Sequence, residues 1–293
     1  MTLRHADCLL PVDKPEGPTS HDIVDAARRA LGVKRVGHTG TLDPFASGLL
    51  LLCVGKATRL AEFFSGLDKT YEAVARLGVS TDTLDRDGTV VGESGDWRGL
   101  TADGIEEVLG RFRGEIEQVP PQYSAKRVDG ERAYQRAREG RGVELEACSV
   151  AVHSLELTSV DLPFMGIRVR CSSGTYVRAL ASDVGEALGV GGHLTGLRRT
   201  AVGDWNVEDA VPVDHLGDPT RVALASVAPL RALHHLPMVE VSDDLAGRLA
   251  SGQAVPVLDQ AHQGPVAVAH DGVLLAIGET ADGVLRPRKV FAA

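Results

Sequence analysis

The sequence predicts an α+β fold in two parts: a large domain of strands and flanking helices, then a small β domain. Three observations predict it. Stretches of helical and strand period follow one another over roughly the first 190 residues. The composition shifts near residues 233–237. Beyond the shift, short apolar pieces alternate with turn residues over about 55 residues. We expect the boundary at 235/236, giving domains 1–235 and 236–293. A length of 293 residues accommodates two domains. With 43 % hydrophobic and 24 % charged residues the chain has the composition of a folded protein. Aromatics are only 4 %, so Leu, Val and Ala must fill the core.

The first element is a helix over 22–31, preceded by Ser20 or His21. Ile23, Val24, Ala27, Ala30 and Leu31 share one face, and Gly32 closes it. Residues 37–44, Gly-His-Thr-Gly-Thr-Leu-Asp-Pro, have two glycines, a proline and no period, the marks of a shaped loop. The apolar run 48–54 follows as a buried strand. Residues 70–79 alternate as a strand, with Tyr71, Ala73, Ala75, Leu77 and Val79 on one side. Thr101 caps a helix carrying Ile105, Val108, Leu109 and Phe112. From Pro120-Pro121 to Gly142 the chain is polar and basic, read as loop with a helical piece over 132–138. Ile167, Val169 and Cys171 alternate as a further strand. Val177, Leu180, Ala181, Val184 and Leu188 then follow helical spacing up to Gly189. In the C-terminal part, Asp271-Gly272 signals a hairpin between 266–269 and 273–277.

Charge and motifs exclude several functions. The net charge is −9, and all of the excess lies in residues 201–285, which hold 12 acidic and 3 basic residues. The rest is balanced, with basic clusters at Arg111–Arg141 (Arg111, Arg113, Lys126, Arg127, Arg132, Arg136, Arg138, Arg141) and at Arg168, Arg170, Arg178, Arg198 and Arg199. A basic face on a neutral body can hold phosphates. No apolar run nears the roughly 18 residues of a membrane span, and no secretory signal is read, so a cytoplasmic location is expected. The cysteines Cys8, Cys53, Cys148 and Cys171 are too far apart in sequence for a zinc motif. Gly55-Lys56 lacks the rest of a phosphate-binding loop, 189–194 fails GxGxxG at Leu194, and 83–94 lacks the end ligands of a calcium loop. No cofactor and no metal is expected.

Asp43, between Leu42 and Pro44 in a glycine-bounded loop, is by itself either a turn aspartate or a buried carboxylate. The longer string GHTGTLDPFASG at 37–48 resembles the catalytic motif of the TruB family of tRNA pseudouridine synthases. KPEGPTS at 14–20, KTYEAVARLGVSTDTLDRDG at 69–88, VPPQYSAKRVDGERAY at 119–134, CSSGTYVRALASDVG at 171–185 and LRRTAVG at 197–203 resemble further family segments, in the family's order. The resemblance covers about residues 8–210.

It implies a catalytic domain on a mixed, mainly antiparallel sheet and a PUA-like C-terminal domain. It implies isomerisation of the T-loop uridine at tRNA position 55 to pseudouridine, after base flipping, by one stand-alone chain. Asp43 would be the nucleophile, Arg178 its ionic partner and Tyr71 the active-site tyrosine. Tyr176 and Leu197 would line the uracil pocket, with Leu197 open to a packing role. His38 would fill the gap left by the flipped base, and Asp85 would lie near the substrate or brace its turn. The expected partner is the tRNA T arm, with Arg111–Arg141 and Arg198-Arg199 on phosphates, and no obligate protein partner; a monomer is the default. Deleting the sparsely basic C-terminal domain is expected to weaken tRNA binding and spare activity on a T-arm hairpin. Two other readings remain open here: the catalytic subunit of a guide-RNA complex, and a non-catalytic tRNA chaperone.

Overall fold

The computed structural model describes residues 7–124, 126–128, 131–132, 136, 145–257 and 263–291. Strand β1 (Cys8–Lys14) leads to helix α1 (Ser20–Leu31). Its cap is Thr19, one residue earlier than the expected Ser20 or His21. Thr19 and Asp22 form a reciprocal capping box, and Gly32 closes the helix at φ 66°. Next come β2 (Val36–His38), β3 (Ser47–Val54), a short 3-10 turn and α2 (Ala61–Ser65). β4 (Lys69–Leu77), β5 (Val79–Thr81), β6 (Val90–Glu93), α3 (Ala102–Gly110) and β7 (Gly114–Gln118) follow. β8 (Arg127–Val128) and β9 (Glu131–Arg132) form a small ribbon. The large domain continues with β10 (Cys148–Asp161), β11 (Phe164–Cys171), α4 (Val177–Ala187) and β12 (Gly192–Val202). β13 (Trp205–Asn206), β14 (Val211–Pro212), α5 (Pro219–Ala225) and α6 (Pro229–Ala232) complete it.

Ten of these strands make one sheet in the order β14-β1-β3-β12-β4-β11-β10-β7, with β13 on β12 and β2 on β3. Only β1–β14 and β3–β12 are parallel. The sheet is therefore mixed and mainly antiparallel, as expected.

The expected strand 70–79 ends early, at Leu77. Gly78 turns the chain at φ 83°, and a Cβ there would lie 2.3 Å from the Trp97 ring, so Val79 starts a different ribbon. β3 reads as an unbroken apolar run because both of its faces are covered. Leu50, Leu52 and Val54 pack with α1, while Leu49, Leu51 and Cys53 face α2 and the C-terminal domain. β4 alternates: Tyr71, Ala73, Ala75 and Leu77 point to α3 and α4, and Glu72, Val74 and Arg76 to solvent. Of the helical piece expected over 132–138, Arg132 belongs to β9 and Arg136 is helical, while 133–135 and 137–138 lie outside the described residues, as do the side chains of Arg127, Arg132, Arg138 and Arg141.

The C-terminal domain holds β15 (Met238–Glu240), α7 (Asp243–Ala250), β16 (Val255–Pro256), β17 (Gly264–His270), β18 (Val273–Ala281) and β19 (Val284–Val290). Its sheet order is β15-β17-β18-β19-β16. Asp271 and Gly272 take φ values of 51° and 70°, so the expected hairpin turn is present. α7 was not expected, because its eight residues carry only a short apolar stripe. One face of this sheet encloses its own core. From the other, Ala267, Leu274 and Ile277 pack against Leu9, Leu49, Leu51 and Phe64 of the large domain.

Candidate active site

The loop 39–46 runs from β2 back to β3 and is braced from three sides. The buried Ser20 hydroxyl bridges Leu42, accepting from its N–H at 2.8 Å and donating to its carbonyl at 3.0 Å. Lys14, fully buried, donates to the carbonyls of Pro15 (3.0 Å), Pro44 (3.3 Å) and Ala46 (2.6 Å). Arg199, also buried, donates from Nε to Leu49 O (2.7 Å), from Nη2 to Gly40 O (3.1 Å) and from Nη1 to Thr41 O (3.4 Å). Leu42 and Phe45 are driven into the core on either side of Asp43. Gly48 ends the loop at φ 105°, where a Cβ would sit 2.2 Å from the Arg199 carbonyl. The loop is thus held as a rigid bracket whose apex is the Asp43 carboxylate.

That carboxylate meets Arg178 in a two-point contact, Nε to Oδ2 at 2.9 Å and Nη2 to Oδ1 at 3.3 Å. Arg178 lies in the first turn of α4, where the helix dipole disfavours a cation. Its side chain is 4 % exposed. Besides Asp43 it donates to Thr83 O (2.8 Å) and Tyr123 O (2.9 Å) and pairs with Asp85 at 3.4 Å. Burial raises the pKa of Asp43 above the ordinary carboxylate value. The Asp85 charge adds to that rise, while Arg178 and Lys14 oppose it. The Asp43 side chain remains about one-third exposed, at 34 %, and faces the pocket.

The pocket has a volume of about 300 Å³, the lower end of the small-molecule range. Asp43, Tyr71, Tyr176, Arg178 and Leu197, all predicted from the sequence, line it together. Tyr71 on β4 stands opposite Arg199 of β12, and Leu197 opposite Ala73. Burial raises the pKa of the Tyr71 hydroxyl, and the nearby positive charge of Arg199 opposes the rise. Tyr176 is fixed through its backbone by Gln118, whose amide donates to Tyr176 O at 3.1 Å and accepts from its N–H at 2.8 Å.

The other two predicted residues stand outside the lining. Asp85 is buried behind Arg178, and one of its oxygens accepts from Thr83 Oγ1 (2.6 Å) and the Asp87 N–H (3.1 Å). It braces the turn and the arginine. His38 lies on β2 beside Leu52, at the start of the loop.

Sequence reasoning missed Lys14, Lys69, Gln118 and Arg199. Arg198-Arg199 were expected together on phosphates. In the structure they part: Arg199 is buried, whereas Arg198 pairs with Asp13 through contacts of 2.8 and 3.1 Å. Strand alternation explains the split, because residues 197 and 199 share a face and 198 takes the other. Reading 192–202 as a strand would have placed Arg199 beside Leu197 in the pocket. Several other surface arginines are also matched to acids: Arg111 to Glu107, Arg113 to Glu106, Arg168 to Glu72 and Arg170 to Asp68.

Among the described residues, the groups able to gather three metal-binding side chains reduce to the exposed Asp243 and Asp271 with the half-buried His270, remote in sequence from the pocket residues. No described helix is long and apolar enough to cross a membrane.

Solved structures share this architecture. A Cbf5-Nop10-Gar1 complex matches with a TM-score of 0.75 at 28 % identity, over 97 % of this chain and 85 % of that one. An H/ACA RNP bound to a substrate RNA containing 2'-deoxyuridine matches with a TM-score of 0.74 at 25 % identity, over 98 % and 85 %. The mixed sheet with an ion-paired aspartate at its pocket fits a pseudouridine-synthase class of enzyme, the class of the family model that matches residues 28–177. Family models make the assignment particular. The TruB family pseudouridylate synthase N-terminal domain matches residues 28–177, the tRNA pseudouridylate synthase B C-terminal domain 178–233, and the pseudouridine synthase II TruB C-terminal model 237–291. The tRNA pseudouridine synthase B of Azoarcus sp. (strain BH72) is 44 % identical over 99 % of this chain and 96 % of its own length. That of Burkholderia pseudomallei (strain 668) is 45 % identical over 99 % and 98 %. The chain belongs to the TruB family of pseudouridylate synthases.

Proposed function

We propose that this enzyme converts the T-loop uridine at tRNA position 55 to pseudouridine, as a stand-alone protein. The observation that carries the reading is the Asp43–Arg178 pair at the wall of a base-sized pocket closed by Tyr71, Tyr176 and Leu197. The names of the relatives at 44–45 % identity support tRNA as the substrate. Identity to the H/ACA RNP and the Cbf5-Nop10-Gar1 complex is lower, at 25–28 %, which favours a chain that acts by itself.

In this reading the uridine is extruded from the T loop, at a cost of a few kcal/mol, and its base enters the pocket. Arg178 keeps the Asp43 carboxylate ionised and aimed, so that it can act as the nucleophile. Tyr71 stacks against the base, and Tyr176 and Leu197 exclude water from it. His38, at the loop's start, fills the vacated space. Asp85 acts by holding Arg178. We assign residues 236–293 as a PUA-like unit that meets a second part of the tRNA. Lys289 there is already engaged by Glu62 and the Arg59 carbonyl, and Arg288 by Glu279, so shape outweighs charge in that contact.

The test uses an unmodified tRNA transcript with no guide RNA, mapping pseudouridine by chemical derivatisation and primer extension. One modification in the T loop by the wild type, absent with Asp43→Asn although tRNA still binds, is the expected result. A folded, tRNA-binding wild type that modifies nothing would overturn it.

A further inference from the structure

The large domain buries two cations at the pocket; their hydrogen bonds go to carbonyls, and among the described residues they make no ion pair within 4.0 Å. Lys69, 7 % exposed, donates to the carbonyls of Ser65 (2.6 Å) and Leu67 (2.5 Å). Arg199, 2 % exposed, donates to those of Leu49, Gly40 and Thr41 and stands opposite Tyr71 across the β12–β4 ladder. Both line the pocket. Arg178 differs, since two carboxylates neutralise it. Burying an ion costs several kcal/mol of hydration, and carbonyl dipoles recover only part of that. Neutral donors could tie the same carbonyls. A cation with no counter-ion therefore points to a use for its charge.

We propose that Arg199 is a positioning residue for the reaction: it clamps the Asp43 loop beside Tyr71, and its unneutralised charge favours the transition state. The inference rests on the function proposed above and names a residue that acts through the loop. The isomerisation breaks the bond from C1′ to N1 and leaves its electron pair on the uracil. The ring turns, C5 bonds to C1′, and the proton lost from C5 ends on N1. Atoms and electrons balance without a co-reactant. Between cleavage and re-bonding the uracil carries negative charge in a pocket with little water, where a fixed positive charge acts most strongly. Arg199 is fixed in the required way. Its side chain holds the start and end of the loop, at Gly40, Thr41 and Leu49, and its backbone is packed on Gly48 so closely that no Cβ fits between them.

The experiment compares Arg199→Lys and Arg199→Gln with the wild type on a T-arm hairpin. It measures kcat, KM and hairpin Kd, with melting temperature and circular dichroism as checks on folding. Arg199→Lys keeps the charge, but one ammonium cannot reach all the partners, so kcat falls about 10-fold. Arg199→Gln also loses the charge, and kcat falls about 100-fold. Hairpin Kd stays within about threefold for both. Wild-type kcat in Arg199→Lys would overturn the inference, as would equal losses in the two variants, or losses seen in Kd instead of kcat. Should Arg199→Gln not fold, Arg199→Lys carries the test: a lower kcat at unchanged Kd supports the inference. Absence of modification by the wild type would instead count against the proposed function, so the two failures are distinct.

Discussion

The pocket and the C-terminal domain are stabilised by opposite means. Around the pocket the protein buries Lys14, Lys69, Arg178, Arg199 and Asp85. The core of the C-terminal domain is Val241, Leu249, Val255, Val266, Val268, Leu275, Ala276 and Leu285, with Thr280 the polar side chain buried among its described residues. Burial of apolar area stabilises the second region directly. The first pays hydration for every ion and recovers it only through specific partners at fixed distances. The difference teaches where tolerance lies. Apolar replacements of similar volume are accepted in the C-terminal core, whereas the pocket depends on the geometry of each hydrogen bond.

Asp43→Asn tests this contrast most severely. It removes the proposed nucleophile while Arg178 keeps Asp85 and two carbonyls, so kcat should fall at least about 1000-fold with hairpin binding and circular dichroism retained. In the wild type the Asp43 pKa lies above the ordinary aspartate value. The acid limb of kcat/KM should therefore fall at a pH above about 4, because the carboxylate must be ionised to act. An acid limb at or below the ordinary value would show that burial does not dominate at Asp43.

Gly48→Ala comes next. A Cβ 2.2 Å from Arg199 O, at φ 105°, forces the loop and β12 apart. We expect a loss of roughly 2–4 kcal/mol together with a kcat decrease beyond that of the unfolded fraction, read by denaturant melts and single-turnover rates. Leu249→Ala, in the other region, should cost about 2–5 kcal/mol in stability and leave the hairpin kcat of the folded protein unchanged. A kcat loss there would show that the two regions are coupled.

The smallest effect concerns Asp183 on α4, whose pKa burial and the nearby Glu186 push up to about 6. A raised folded-state value means that the folded protein holds this proton more tightly than the unfolded chain. That contribution is present below about pH 4 and is lost as pH rises to about 6. Asp183→Asn should therefore raise stability by about 1–3 kcal/mol at pH 7 and change little at pH 4. Thermal melts at the two pH values measure it.

The comparison also revises an expectation. Deleting the C-terminal domain is not a clean test of RNA binding, because Ala267, Leu274 and Ile277 cover Leu49, Leu51 and Phe64 of the large domain. Truncation would expose that apolar surface. Surface substitutions in the intact chain test RNA contact better.

Much of the fold was legible in local patterns. The face of α1, the Thr101 cap of α3, the stripe of α4 and the Asp271-Gly272 turn all follow from residue spacing. β10 and β12 were not read, because polar residues interrupt their alternation, and β12 buries His193 and Arg199 where a strand pattern calls for apolar side chains. Asp43, Tyr71, Tyr176, Arg178 and Leu197 could be nominated from motifs and are found around one cavity. Asp85 and His38 could be nominated too, yet their distance from the lining could not be read.

The sequence by itself determined the residue types, the helices and turns with strong local signals, and the family motifs. Local chemistry suffices for these, since periodicity, caps and glycine turns act within a few residues. Tertiary structure alone decided which charges are buried. Two adjacent arginines look alike in a sequence, but β12 turns Arg198 to Asp13 and Arg199 into the core. The environment of an ion is set by strands distant in the chain, and it is that environment which fixes the ion's pKa, partners and use.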